Sequence, residues 1–220
     1  MDRRTSEFYD RVERELYTSV LADVMDVMGY VDQVMRHDIR PLYDGAAVAG
    51  RAATMLAGEV AEVPAEPFKL ELELLDSIGP GEVVVCTTQG STRAAMWGEL
   101  LSTHTRARGG RGAIIDGLTR DAWGISDMRF PVFVTGTSPA DSKGRLDVTA
   151  VRVPILVGGV VVHDGDLVVA DIDGCVVVPQ AIEAEVIERA LAKVAGENAV
   201  RDVLAAGASI RQVFKDYGIL

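Results

Sequence analysis

Along the middle of the chain, strand-like apolar runs alternate with segments of helical pattern. Residues 82–86 are a β-branched run after a Gly-Pro-Gly turn, which predicts a buried strand. Residues 100–108 contain helix formers and end at a glycine pair, so they predict a helix. Strand-like runs at 112–116 and 131–135 enclose a short helical pattern over 121–128. The pattern therefore predicts the order β-α-β-α-β.

The outer parts of the chain also show helical and strand-like patterns. Residues 16–28 carry apolar side chains at helical spacing, with acids on the other faces that we interpret as solvated. Residues 48–55 and 151–162 are rich in β-formers, and 167–179 place a DxDG turn between two valine runs, which predicts a hairpin. Residues 181–204 predict an amphipathic helix or helix pair. No Pro-, Gly- or Ser-rich linker interrupts these blocks.

Composition limits the class of protein. We expect residues 1–220 to form a single domain with helical segments at both ends, long enough to bury a sizeable core. There are 22 lysines and arginines against 33 acids, and the net charge of −11 argues against nucleic-acid or anionic-membrane binding. No apolar run could span a bilayer and no signal peptide is apparent, so a cytoplasmic location is expected. Cys86 and Cys175 lie in apolar runs and are predicted to be buried free thiols.

The candidate chemistry lies just beyond the predicted strand ends, where ligands gather in open α/β sheets. Asp121 is a hard oxygen ligand that suits Mg²⁺ or Mn²⁺, and Glu99 could hold a metal-bound water. Arg120 could bind a substrate carboxylate in a planar fork, and free N–H groups around residues 98–101 offer a second anion-binding surface. By pattern alone, however, an Arg-Asp pair is more often a solvated helix start.

Other possible ligands are less well placed. His37, His104 and His163 are not at metal-ligand spacing from one another. The DxDG turn lacks the remaining positions of a calcium loop. Neither feature predicts a metal site of its own.

A series of motifs in fixed order carries a family resemblance over nearly the whole chain. They are Ser19–Gly29, Ile39–Pro41, Gly50–Thr54, Gly98–Leu101, Asp116–Asp121, Phe130–Phe133, Gly158–Val160 and Gly165–Gly174. With them the chain resembles the family that includes class II 4-hydroxy-4-methyl-2-oxoglutarate aldolases and the protein regulator of ribonuclease activity A. The resemblance implies an α/β fold of the swivelling β/β/α type, with a mixed central sheet and flanking helices.

The resemblance also implies roles for individual residues. Aldolase members carry a Gly-acid-Leu segment and, about a score of residues later, an Arg-Asp pair. Here these are Gly98-Glu99-Leu100, followed by Leu101, and Arg120-Asp121. They imply that Asp121 ligates the metal directly, that Glu99 acts through a metal-bound water, and that Arg120 contacts the substrate and assists proton transfer. Regulator-type members lack the metal-binding Asp, so its presence favours an enzyme, although Glu99 stands where some aldolases have Asp.

The predicted function is a Mg²⁺- or Mn²⁺-dependent aldolase that cleaves 4-hydroxy-2-oxo acids to pyruvate and also decarboxylates oxaloacetate. Lys143 or Arg145 could bind the distal carboxylate of this small 2-oxo acid substrate, unless they only form an exposed basic loop. The resemblance further implies a homotrimer or dimer of trimers, in which Glu197 reaches metal waters of the neighbouring subunit. The alternatives are a non-catalytic regulator on the same fold and a related lyase acting on another small acid.

Overall fold

The computed structural model describes residues 6–218, in which helices and strands alternate along the chain. The helices are α1 (Ser6–Glu15), α2 (Thr18–Val27), α3 (Lys69–Ser77), α4 (Glu99–Ala107), α5 (Ala122–Asp127), α6 (Glu183–Ala205) and α7 (Ile210–Tyr217). The strands are β1 (Arg40–Pro41), β2 (Val48–Glu59), β3 (Glu82–Thr87), β4 (Ala95–Trp97), β5 (Gly112–Thr119), β6 (Val132–Thr137), β7 (Leu146–Val151), β8 (Ile155–Val157), β9 (Val160–Val162), β10 (Leu167–Ala170) and β11 (Cys175–Val178).

The central sheet is mixed, as predicted. Within the described residues its main path runs β1-β6-β5-β3-β2-β10-β11, while β4 pairs with β5 and β7 pairs with β2. The pairs β2–β3, β3–β5, β4–β5 and β5–β6 are parallel. The pairs that involve β1, β7, β10 and β11 are antiparallel. Parallel pairing brings the carboxyl ends of β4, β5 and β6 to one edge of the sheet.

Apolar side chains cover both faces of this sheet. On one face, helices α3, α4 and α5 pack on buried residues that include Met55, Trp97 and Ile115. On the opposite face, the antiparallel pair β8–β9 covers a second set that includes Ile114 and Phe133. Helices α1, α2 and α6 pack over the β10–β11 hairpin. The flanking helices predicted with the α/β fold are therefore present, and they bury the sheet that positions the site.

Most predicted elements are confirmed, and the differences bear on the site. The strand predicted at 112–116 continues to Thr119, and a strand that was not predicted, β4, lies between β3 and α4. Glu99 therefore follows β4 rather than β3. Strand β4 has only three residues, too few to show a period. Helix α3 and strand β7 were also absent from the prediction.

The predicted hairpin at Asp171 is confirmed, and its carboxylate has a structural role. Strands β10 and β11 are antiparallel on either side of the turn. Asp171 accepts hydrogen bonds from the backbone N and Oγ1 of Thr18, at 2.8 and 2.7 Å, and so fixes the start of α2. Cys86 and Cys175 are buried free thiols, as predicted, and burial raises the pKa of both. Among the described residues, no helix is long and apolar enough to cross a membrane.

Candidate active site

The frame of the site is a set of hydrogen bonds between the ends of β4 and β5. The Oγ1 of Thr119 and the backbone N of Arg120 both donate to the carbonyl of Trp97, at 3.1 and 3.0 Å. The indole N–H of Trp97 donates to Ser102 Oγ at 2.8 Å, and this hydroxyl donates to the carbonyl of Gly98 at 3.0 Å. All these bonds are buried, so the starts of α4 and α5 are held side by side.

Gly98 lies against the Arg-Asp pair. A Cβ atom at position 98 would lie 3.2 Å from Asp121 Oδ2 and 3.3 Å from Arg120 Cγ, so a side chain there would push on both residues. Asp121 itself has left-handed backbone angles, φ 55° and ψ 34°, at the N-cap of α5. Aspartate and asparagine adopt this conformation more readily than most other residues, and such strain is common at functional sites. The backbone conformation thus fixes the direction in which the Asp121 side chain leaves the main chain.

A cavity of about 190 Å³ opens at this point. Five of the residues predicted to bind substrate or metal line it, namely Gly98, Leu100, Leu101, Arg120 and Asp121. The volume is below the roughly 300 Å³ at which pockets for drug-sized ligands begin. The cavity therefore suits a small acid better than a nucleotide or a large cofactor.

The guanidinium of Arg120 lies between two carboxylates. Its Nη1 is 3.1 Å from Asp141 Oδ1, and its Nε is 3.5 Å from Asp121 Oδ2. Asp141 also lines the cavity, and the loop that carries it is pinned by a hydrogen bond from Ala95 N to Ala140 O at 2.9 Å. Sequence reasoning missed Asp141, because it lies in an irregular loop that only the fold brings to Arg120. The two carboxylates orient the guanidinium through Nη1 and Nε, which leaves Nη2 for a ligand.

A second acid in the cavity, Glu71 of α3, was also missed. It lines the cavity although only 4% of its surface is exposed. Burial, followed by the negative charges of Asp147 and Asp141, raises the pKa of Glu71 to about 7. The sequence carried a signal for this residue, because Leu74 and Leu75 stand three and four positions later. Glu71 is therefore an acid on the apolar face of a short helix.

Three of the predicted site residues do not line the cavity, namely Glu99, Lys143 and Glu197. Glu99 begins α4, but its carboxylate accepts a hydrogen bond from Thr103 Oγ1 at 3.1 Å, and its Cγ would lie 3.0 Å from a Cβ at Gly124. Lys143 is exposed, and the cavity is lined instead by Asp141 and Ser142, the residues just before it. The metal-water role of Glu99 and the substrate role of Lys143 stay predictions.

The Glu197 carboxylate is hydrogen-bonded and ion-paired to side chains of its own chain. Tyr17 donates a hydrogen bond to its carboxylate, and Lys193 Nζ lies 3.0 Å away. Burial acts to raise the pKa of Glu197, but the hydrogen bonds from Tyr17 and Lys193 outweigh it and hold the pKa below its ordinary value. The carboxylate is thus ionised and already paired. Its contact with metal waters of a neighbouring subunit stays a prediction.

The donor set fits a strongly hydrated cation. Over residues 6–218, no group of three or more His, Cys, Asp or Glu side chains is placed to hold a metal ion. Asp121 does offer a carboxylate to the cavity, and Mg²⁺ commonly keeps several waters while binding one or two protein carboxylates. His104 contacts the Leu75 carbonyl and Asp76 instead, at 3.3 and 3.4 Å. The residues present therefore fit Mg²⁺ or Mn²⁺ and do not fit an all-protein zinc site.

The first acid of the DGLTRD motif has a structural role. Asp116 is buried, and its carboxylate accepts hydrogen bonds from Arg36 Nη2 at 2.7 Å and from Gly158 N at 2.8 Å. These bonds tie β5 to the loop between β8 and β9. The motif therefore combines a structural acid at its start with the Arg-Asp pair of the cavity at its end.

The comparison with protein families agrees with this geometry. Residues 18–177 match the family model described as "RraA-like: Aldolase/RraA". The chain belongs to the RraA-like family. The matched residues include α3, both acids of the DGLTRD motif and the loop of Asp141, whereas Glu197 lies beyond them.

Individual RraA-like relatives are similar at moderate identity. A Halalkalibacterium halodurans protein named "Putative 4-hydroxy-4-methyl-2-oxoglutarate aldolase" is 30% identical over 186 residues, 84% of this chain and 83% of that protein. Protein DlpA of Legionella pneumophila is 28% identical over 202 residues, 90% of this chain but 32% of DlpA, so the chain spans about a third of its length. The crystal structure of Streptomyces coelicolor RraAS2, "an unusual member of the RNase ES inhibitor RraA protein family", has a TM-score of 0.80 at 29% identity and covers 90% of this chain and 98% of its own. The predicted family and fold are thereby confirmed.

Proposed function

We propose that this RraA-like protein is a divalent-metal-dependent aldolase that cleaves 4-hydroxy-2-oxo acids to pyruvate, and that it also decarboxylates oxaloacetate. One observation carries the proposal: Arg120 and Asp121 face a small cavity at the ends of β4 and β5, directly beside Gly98. The names of the aldolase relatives support it, since they share the family and most of the chain length.

Each residue of the cavity has a task in this reaction. Mg²⁺ or Mn²⁺, when held by Asp121, would draw electron density from the keto oxygen of the substrate. Arg120 binds that oxygen or the adjacent carboxylate with its free edge and offsets the charge that develops during cleavage. A donor aimed in this way contributes about 2.7–4 kcal/mol in comparable oxyanion sites. Backbone N–H groups of residues 98–101, at the start of α4, bind the substrate carboxylate.

One enolate accounts for both activities. In aldol cleavage the C4 hydroxyl gives its proton to a water bound by Arg120, the C3–C4 bond breaks, and the bonding electrons form the enolate of pyruvate. In oxaloacetate decarboxylation the bond to the departing carboxylate supplies the same electrons. Arg120 stabilises the negative oxygen in either case, so the same cavity serves both substrates.

A substrate screen tests this proposal. The protein is incubated with a panel of 4-hydroxy-2-oxo acids and oxaloacetate, with and without Mg²⁺ or Mn²⁺, and pyruvate is measured. We expect pyruvate release that depends on the added cation. Borohydride with pyruvate should leave the protein unmodified, because none of the lysines that the structure describes lines the cavity to form a Schiff base. Covalent trapping, or full activity after exhaustive chelation, would exclude the metal-dependent mechanism.

A non-catalytic regulator is the second candidate. It is favoured by the similarity to Streptomyces coelicolor RraAS2, described as a member of the RNase ES inhibitor RraA protein family. Such a protein would have no use for an open cavity that contains Arg120 and Asp121. If the metal-loaded protein releases pyruvate from no member of the panel, this candidate replaces the aldolase.

The predicted assembly completes the proposal. Leu100 and Trp123 flank the Arg-Asp pair and are 72% and 82% exposed, which is unusual for large apolar side chains. A hollow of about 340 Å³ also borders the pair on the side of Trp123. A homotrimer or dimer of trimers would cover these side chains at a heterologous interface. We expect no substantial monomer in sedimentation at micromolar concentration; a fully active monomer would contradict this assembly.

A further inference from the structure

Glu71 takes no part in the mechanism proposed above, although it lines the same cavity as Arg120 and Asp121. Its side chain is 4% exposed, and that remaining surface opens on the cavity. Among residues 6–218, no hydrogen-bond donor reaches its carboxyl oxygens. A buried carboxylate without donors is unfavourable, whereas a neutral carboxyl group is tolerated and carries a proton. The position therefore favours a proton donor that faces the substrate.

The charges around Glu71 act in the same direction. Asp147 of β7 and Asp141, just before that strand, are the acids whose negative charges raise its pKa, after burial itself. Cys86 of β3 lies close enough to interact with the charge of Glu71, and burial raises the pKa of that thiol, so the thiol stays neutral and adds no charge. The Glu71 carboxyl group is thus protonated in a large fraction of molecules near pH 7.

The other groups near α3 do not supply a competing proton. Across the cavity, Arg120 is permanently cationic and Asp121 is the proposed metal ligand. On α4, which packs against α3, His104 points to Asp76 and to the Leu75 carbonyl. Glu71 is the acid of the cavity that is both buried and free of an ion pair within the described residues.

We propose that Glu71 is the catalytic acid that protonates C3 of the pyruvate enolate, an inference that rests on the proposed function. The O–H bond of Glu71 breaks, and the electron pair of the enolate forms the new C3–H bond, which leaves pyruvate and the Glu71 carboxylate. In aldol cleavage, a water bound by Arg120 accepts the proton of the C4 hydroxyl and, once C3 is protonated, passes it to the Glu71 carboxylate, which restores the carboxyl group. In decarboxylation, a solvent proton restores it.

The reverse of this step gives a direct test. Pyruvate is incubated in D₂O with the Mg²⁺-loaded full chain, and exchange of its methyl protons for deuterium is followed by NMR. We expect Glu71→Gln to lower the exchange rate at least about a hundredfold, the lower bound for general acid–base catalysis, with an unchanged KM for pyruvate. The matched control is Glu73→Gln, the same change at an exposed position of α3, which should exchange at the wild-type rate.

The pH profile distinguishes catalysis from a structural role. Abstraction of a methyl proton needs the Glu71 carboxylate, so exchange by the wild type should rise with pH and level off above the pKa of Glu71. Glu71→Gln should lose this rise. Glu71→Asp, which keeps a carboxyl group, should retain the rise at a lower rate, and it decides the question if Glu71→Gln does not fold.

The outcomes separate the two proposals. Wild-type exchange together with a folded Glu71→Gln that exchanges at the same rate, or a folded Glu71→Asp without the pH-dependent rise, would overturn the role of Glu71 and leave the aldolase intact. If the wild type neither exchanges pyruvate protons nor releases pyruvate from the substrate panel, the aldolase itself is refuted, and the role of Glu71 with it.

Discussion

The two sides of the cavity hold acids in opposite environments. At the rim, formed by Arg120, Asp121 and Asp141, the side chains are 37%, 44% and 50% exposed and pair with one another. At the floor, Glu71 is 4% exposed and has no ion pair with any residue in 6–218. Charges persist at the rim because water and counter-charges solvate them, whereas the floor favours a neutral acid. A cavity of about 190 Å³ can thus hold a charged clamp and a proton source together.

The largest effect is expected at the rim, from Asp121→Asn. Asparagine accepts the left-handed backbone, so the variant should fold like the wild type while it lacks the carboxylate proposed to hold the metal. We expect metal-dependent pyruvate release to fall by more than about a hundredfold, which is the upper range for losing even an outer-shell partner of a metal. The matched control, Asp127→Asn on the exposed side of α5, should stay fully active. Equal activity of both variants would place the metal elsewhere.

The next effect, also at the rim, concerns Arg120→Lys. Lysine keeps the positive charge beside Asp121 and Asp141 but cannot reproduce the planar fork. We expect kcat to fall by about 10²–10³, as for one oxyanion donor, with little change in the urea midpoint of unfolding. Arg189→Lys, an exposed position on α6, is the control. A variant with the wild-type kcat would show that only the charge of Arg120 matters.

The smallest effect belongs to the floor and appears in stability rather than turnover. The pKa of Glu71 is raised from 4.5 to about 7, so folding carries no penalty below pH 4.5, and stability is lost as the pH rises through about 7. Linkage puts the full loss at roughly 3 kcal/mol. Glu71→Gln should therefore gain stability over the wild type at pH 8 and much less at pH 5, as measured by urea unfolding. An equal difference at both pH values would mean that Glu71 is ionised in the folded protein.

The sequence predicted the elements that are long or strongly periodic. The strands at 82–86, 112–116 and 131–135 appear because each buries a continuous apolar run. Strand β4 was missed, since its three residues acquire their strand character only from pairing with β5. A pairing partner contributed by a distant segment leaves no local period in the sequence.

The same distinction holds for the site. Arg120 and Asp121 could be placed beyond a predicted strand, and Gly98 at the start of a predicted helix, and the family motifs carry all three. Asp141 could not, because a loop brings it to Arg120 through tertiary contacts alone. Glu71 was within reach of periodicity, yet its chemistry depends on burial by α3, β7 and the cavity wall, which only the folded chain defines.

The left-handed backbone of Asp121 also limits which replacements this position can accept as the gene changes. Most side chains would be destabilised there by about 1–2 kcal/mol, whereas asparagine and glycine fit the turn. Codons for both residues lie one nucleotide away from a codon for aspartate. Each removes the carboxylate and preserves the entry into α5. The metal-dependent lyase proposed here and a protein without that activity would therefore stand one base change apart on this fold, with no unstable intermediate between them.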